Sequence, residues 1–127
     1  TLKISDLSVG DWVQDKNGIY AKVLGMENWS NGYFLNIELH GVNVGVTPFA
    51  SVHPIPITAE VLEKNGFERL LERDLFYHSE SGLEIAFEDG EWMHTINLHE
   101  YTIHTISGVH HIQHLLRLYG CEKEINL

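Results

Sequence analysis

This sequence predicts an α+β chain, and three observations predict it. Gly-containing turn pairs (Asn17-Gly18, Asn31-Gly32, Ser81-Gly82, Asp89-Gly90) separate short apolar runs. A segment in the middle writes out a short helix with both ends specified, and a stretch near the end repeats its apolar residues at helical spacing.

In order along the chain, Leu7-Ser8-Val9-Gly10-Asp11-Trp12-Val13 reads as a turn entering a strand. Asn17-Gly18 is a two-residue hairpin signal ahead of a strand from Ile19 to Met26. Asn31-Gly32 then separates Glu27 to Ser30 from a largely apolar strand, Tyr33 to Leu39, and Gly41 to Thr47 supplies another. Short strands joined by tight turns curl into small barrels that remove their exposed edges, so an N-terminal SH3-like β-barrel is expected over residues 1–53. About fifty residues bury too little surface to be stable alone, so this subdomain is expected to pack as one unit with residues 54–127.

The connecting helix follows Pro54-Ile55-Pro56-Ile57. Thr58 is placed to cap it, Glu60 sits in the first turn where the helix dipole favours negative charge, and Ile57 is placed to staple onto Leu62. Gly66 stops it, because a glycine just past the C-cap takes the left-handed conformation and lets Phe67 fold back onto Leu62. Strands are then expected over Leu70 to His78, Leu83 to Phe87, Glu91 to Leu98 and Tyr101 to Ile106, as an antiparallel β-meander. Leu83, Ile85 and Phe87 alternate with Glu84, Ala86 and Glu88, which predicts one buried and one wet face. A C-terminal helix from Gly108 to Gly120 covers this sheet. Val109, Ile112, Leu115, Leu116 and Tyr119 line its buried face, with His110, Gln113, His114 and Arg117 opposite.

Composition bounds the function. The 127 residues are 43% hydrophobic with 3 Pro, which fits a compact globular chain rather than a disordered one. No apolar run approaches the roughly 20 residues of a membrane span, and no signal peptide is visible, although the chain starts at Thr1 rather than Met. Cys121 is the single cysteine, which excludes an internal disulfide or an all-thiolate zinc cage and points to a reducing, cytoplasmic compartment. Eighteen acidic against 8 basic residues give a formal charge of -10, which opposes binding to nucleic acid through counterion release. Protonating all 9 histidines would bring the charge to -10 + 9 = -1, so solubility should fall in mild acid.

Three stretches carry a resemblance: Leu7, Gly10, Asp11 and Val13; Pro54 to Thr58 with Glu60, Leu62, Gly66 and Phe67; and Val109, His110, Gln113 and Leu115. Together they resemble a family of small proteins common in Bacteroidetes genomes, often in prophages and other mobile elements. That family has a Pro-Ile-Pro-Leu-Thr-Glu-Glu-Ile-Leu-x-x-x-Gly-Phe helix and a closing Val-His-x-Leu-Gln-Asn-Leu-Tyr-Phe-like helix. The likeness spans nearly the whole chain but departs at His114, Leu116 and Arg117, where the family tends to have Asn and aromatics. It implies a mobile-element context and carries over no catalytic residue.

The residues with most chemistry are the histidines of the last helix. His110 and His114 lie four apart and are the candidate metal pair, with further ligands to be sought among His99, His104, Glu100 and Glu122. The glutamate that follows the first histidine in zinc-protease helices is absent, since His111 stands there. The plainer reading is a solvated helix face whose His110 hydrogen-bonds the neighbouring sheet. Ser107 lacks the setting of a nucleophile elbow, and Glu84, Glu88, Asp89 and Glu91 read as ordinary wet carboxylates. Cys121 follows a helix C-terminus, where the dipole disfavours a thiolate. Trp12, Trp29, Tyr33 and Phe34 read first as barrel filling and second as an outer binding groove. No catalytic residue and no cofactor are expected. The expectation is a non-enzymatic accessory protein of a phage or mobile element that binds another protein, with His110, Gln113, His114, Arg117, Trp29 and Tyr33 as interaction candidates. The alternatives are a nucleic-acid-associated module using the barrel, and a metal-binding protein using the helix histidines.

Overall fold

A computed structural model of the protein describes residues 2–70 and 74–127. Among these residues the architecture is α+β, with two antiparallel sheets and two α-helices. The first unit, Thr1–Ile55, holds β1 (Trp12–Gln14), β2 (Tyr20–Trp29), β3 (Gly32–Leu39) and β4 (Val42–Pro48). The second, Pro56–Leu127, holds α1 (Ala59–Lys64), β5 (Phe67–Arg69), β6 (Leu75–His78), β7 (Leu83–Glu88), β8 (Glu91–Ile96), β9 (Tyr101–Thr105) and α2 (Val109–Leu118).

In the first unit the strands follow one another as a meander. Val13, Ala21, Val23, Leu35 and Ile37 project to one face and, with Leu7 and Val52, form its core. The Asp15 carboxylate accepts from the N–H groups of Asn17 and Ile19, which fixes the turn at Gly18. At the next hairpin Trp29 pairs with Gly32, so Ser30 and Asn31 are the turn and Gly32 opens β3, one residue earlier than its Asn-Gly signal suggests. β2 also runs unbroken from Tyr20 to Trp29, joining two segments that the sequence reading kept apart.

The closed barrel expected of residues 1–53 does not form among the described residues: the sheet is open, in the order β1-β2-β3-β4. After a 3-10 turn at Phe49–Ser51 the chain returns to β1 and makes a single antiparallel bridge, Gln14 to His53. Pro54 and Pro56 follow at once and have no N–H to donate, so a fifth strand cannot propagate from that bridge. Gln14 instead donates its side-chain amide to the Pro54 carbonyl at 2.9 Å.

In the second unit α1 starts as its sequence specifies, with Thr58 Oγ1 accepting from Val61 N at 3.2 Å. Gly66, at φ +88°, ends it and donates to Glu63 O, and Leu62 and Phe67 are both buried. A β-carbon at Gly66 would lie 3.4 Å from His78 Nε2. Gly66→Ala combines left-handed backbone strain with that close approach, so we expect it to cost about 1–2 kcal/mol. Urea unfolding of the variant measures this, and an unchanged midpoint would refute it.

The five strands order as β5-β6-β7-β8-β9. Phe67–Arg69 forms a strand that the sequence reading missed, and the strand expected from Leu70 to His78 is seen as Leu75–His78, with residues 71–73 outside the described part. The alternation read into β7 is wrong. Leu83, Glu84, Ile85 and Ala86 are all buried while Phe87 and Glu88 are exposed, because both faces of this central strand are covered. α2 lies against β8 and β9 through ring contacts of His94 with Tyr119 and of His104 with His111. It ends in a Schellman motif, with Cys121 N donating to Leu116 O and Gly120 N to Arg117 O.

Candidate functional site

In the first unit the functional candidate is the tip of the β2–β3 hairpin. Trp29 and Tyr33 are 47% and 45% exposed there, so they are not barrel filling. The Trp29 ring packs on Phe34 with centroids 4.5 Å apart, and Phe34 pairs across β3–β4 with exposed Pro48. Trp12 stays partly buried on β1, opposite Lys22 of β2, with the Lys22 ammonium 5.0 Å from its ring centre. The tip thus offers an aromatic surface: the ladder pairs fix the backbone, and the Trp29–Phe34 contact restricts those two rings. Its nearest carboxylate in the ladder is Glu27, opposite Phe34.

The histidines of the second unit form a row rather than a ligand cage. His94 and His104 stand opposite each other across β8–β9, with ring centres 5.2 Å apart and edge-on. His104 Nε2 lies 3.1 Å from His111 Nε2, and the rings stack. His94 Nε2 lies 2.7 Å from the Tyr119 hydroxyl. Ser107 N donates to His111 Nδ1 at 3.4 Å, which leaves the His111 proton on Nε2, directed at His104. Burial first, then the nearby His104 and His111, hold the His94 pKa below its ordinary value. The row links the helix to the sheet through the His104–His111 contact and ties His94 to Tyr119.

The sequence candidates on α2 fall differently from expectation. His110 is 1% exposed and Gln113 is buried as well, so two of the four residues read as a solvated face are in fact inside. The helix is covered over a wider arc than its apolar stripe alone indicates. His110 and His114 meet edge-on with centroids 6.1 Å apart, and His111 reaches the sheet histidine His104. Arg117 is exposed and His114 half-buried. Sequence reading missed His94, and it placed Tyr119 on the buried face of the helix without its hydroxyl contact to His94. The signal available for the sheet pair was hairpin register, which places His94 opposite His104.

One carboxylate was misjudged. Glu84 is 5% exposed and accepts from Thr95 Oγ1 at 2.6 Å, Leu98 N at 2.8 Å and His99 N at 2.7 Å. Those two amides belong to the β8–β9 turn, where Asn97, Leu98 and His99 have φ of 54°, 55° and 70°. Left-handed backbone at three consecutive non-glycine residues is unfavourable, and the buried carboxylate holds it. His99 in turn reaches Glu88 Oε2 at 2.7 Å.

Fold and surface define a two-unit α+β protein with an exposed aromatic hairpin tip in one unit and a helix-to-sheet histidine row in the other. No protein-family model, curated protein or solved structure matches the chain. Among the described residues, no helix is long and apolar enough to cross a membrane.

Proposed function

We propose that this protein is a non-enzymatic binding module that docks a partner protein through the β2–β3 hairpin tip of its first unit. The observation that carries the reading is the half-exposure of Trp29 and Tyr33 on a paired hairpin. Trp and Tyr are the residue types that dominate binding energy at protein interfaces, and leaving two of them in water is unfavourable unless a partner covers them. The formal charge of -10 favours a partner surface with basic residues around its apolar centre and disfavours a polyanion. The first unit reads as SH3-like in strand succession, with the 3-10 turn and the Gln14–His53 bridge in place of closure. The resemblance at Pro54 to Phe67 and Val109 to Leu115 supports an accessory role in a phage or mobile element.

The test is a comparison of wild type with Trp29→Ala/Tyr33→Ala. Both rings are exposed, so the pair of changes leaves folding intact while removing about 2 kcal/mol or more of binding, roughly 30-fold or greater in affinity. Photo-crosslinking from the exposed turn position 31 in host extract should trap a discrete protein that the double variant fails to retain. Equal retention by both forms would overturn the reading. A gel-shift titration at low salt separates the nucleic-acid alternative, and no retardation is expected.

A further inference from the structure

His78, Glu80 and Cys121 bring a nitrogen, an oxygen and a sulfur donor to within 4.8 Å of one another, the one such group of three among the described residues. All three line an open cavity of about 340 Å³ walled also by Lys64, Asn65, Gly66 and the C-terminal segment. We propose that this cavity is a zinc site, with the His78 imidazole, the Cys121 thiolate and the Glu80 carboxylate as ligands and water in the fourth position.

The two anchoring ligands are held by local structure that the chain specifies independently. Cys121 is the residue after Gly120 in the Schellman motif of α2, so its backbone is fixed by the bond to Leu116 O. His78 ends β6 at a turn closed by Gly82 N donating to His78 O at 2.7 Å. Its ring is oriented by Ser81, whose hydroxyl lies 2.7 Å from Nδ1 and whose N–H donates to the same atom at 3.2 Å, so that without metal the imidazole proton is on Nε2. That leaves Nε2 on the Gly66 side, on the cavity wall. Orientation of a ligating imidazole through its other nitrogen is the usual support of a zinc histidine. His78 is 5% exposed and Cys121 6%, so neither is a surface group that happens to lie near the other. The far wall is pinned by Asn65, which donates to Asn126 O and accepts from Asn126 N, while Lys64 Nζ donates to Leu127 O.

Glu80 supplies the adjustable ligand. It is exposed and holds Lys123 Nζ at 2.9 Å, so a cation already sits beside the carboxylate. Solvent-exposed pairs of this kind contribute little, and releasing Lys123 frees the carboxylate to turn toward the sulfur. Donors around tetrahedral zinc with bonds of ~2.0–2.3 Å lie roughly 3.3–3.8 Å apart, so closure asks for about 1 Å of side-chain movement. The mixed thiolate, imidazole and carboxylate set selects zinc over calcium or magnesium, which take oxygen ligands. Binding expels the thiol proton to solvent and moves the imidazole proton from Nε2 to Nδ1, where Ser81 Oγ accepts it in place of the bond from Ser81 N.

Cobalt(II) reports the sulfur directly, and untagged protein avoids histidines from outside the chain. We expect one equivalent of cobalt to give the near-ultraviolet thiolate-to-cobalt absorption, and one equivalent of zinc to displace it. Cys121→Ser should abolish the absorption, and Glu80→Gln, at an exposed position that cannot compromise folding, should weaken zinc binding at least tenfold. His104→Gln/His111→Gln should leave both signals in place, which separates this site from the histidine row. Absence of the thiolate absorption in the wild type, or zinc binding unchanged by Glu80→Gln, overturns the proposal.

Discussion

Replacing Glu84 by alanine is expected to destabilise the second unit by about 3 kcal/mol or more. Three donors, Thr95 Oγ1, Leu98 N and His99 N, converge on this one carboxylate, and it is buried on the central strand of the five-stranded sheet. Hydrogen bonds to charged groups are worth ~1.5–3 kcal/mol each, and the loss is larger where the orphaned donors have no water to replace the acceptor. The turn adds to the loss, because Asn97, Leu98 and His99 are left-handed and relax once nothing holds their amides. Glu84→Gln keeps the shape and one acceptor oxygen but adds an NH2 group facing donors, so it should fall between wild type and alanine. Chemical denaturation of the three proteins gives the ordering directly. Amide hydrogen exchange at Leu98 and His99 should accelerate in both variants even where the global midpoint moves little. A loss under 1 kcal/mol in Glu84→Ala would show that the turn stands without its carboxylate.

The second large effect is loss of stability in mild acid. His78 and His94 both have pKa values below the ordinary 6.5, in each case first through burial. The opposing influences are weaker: Glu80 and the Asn65 backbone raise His78 and Glu84 raises His94, whereas Lys123 lowers His78 further and His104 and His111 lower His94 further. Below about pH 6.5 the unfolded chain takes up protons that the folded chain refuses, so stability rises with pH through this window. The contribution is fully present above the unfolded-state value and is lost as the pH falls from there through the depressed folded-state values. A counter-effect exists, since protonation relieves the repulsion of a chain with formal charge -10. That repulsion acts between exposed charges and is screened over ~8 Å at physiological salt, whereas the cost of charging a buried imidazole is not. Burial therefore wins. The melting temperature should be level from pH 8 to 7 and fall between pH 6.5 and 5, with the fall retained at high salt. A flat or rising profile between pH 7 and 5 would contradict the assignment.

How much was legible in the sequence differs from element to element for physical reasons. α1 could be read almost residue by residue, because its cap, first turn and terminating glycine interact within a few positions of one another. The Asp89-Gly90 turn was equally plain, since its two residues take the left-handed φ values of 52° and 78° that this pair tolerates. Closure of the first sheet was not, because it depends on whether residues past position 53 can pair with β1, and that is settled by the neighbouring prolines acting on a distant partner. Glu84 looked like a wet carboxylate because alternation assumes one solvated face, and β7 has none over its first four residues. His110 and Gln113 looked exposed for the same reason on a helix, polar by type but enclosed on two sides.

By itself, then, the amino-acid order determined what is local: the α+β class, the positions of turns, the helix ends, and a charge that discourages nucleic acid. Only the tertiary structure decided which distant side chains meet. It brought His94 and His104 to His111, and His78 and Glu80 to Cys121, and it left Trp29 and Tyr33 in solvent. The physical reason is range. Caps and turns are set by backbone groups a few residues apart, whereas burial and convergence depend on how whole strands and helices stack, a property no short window of sequence contains.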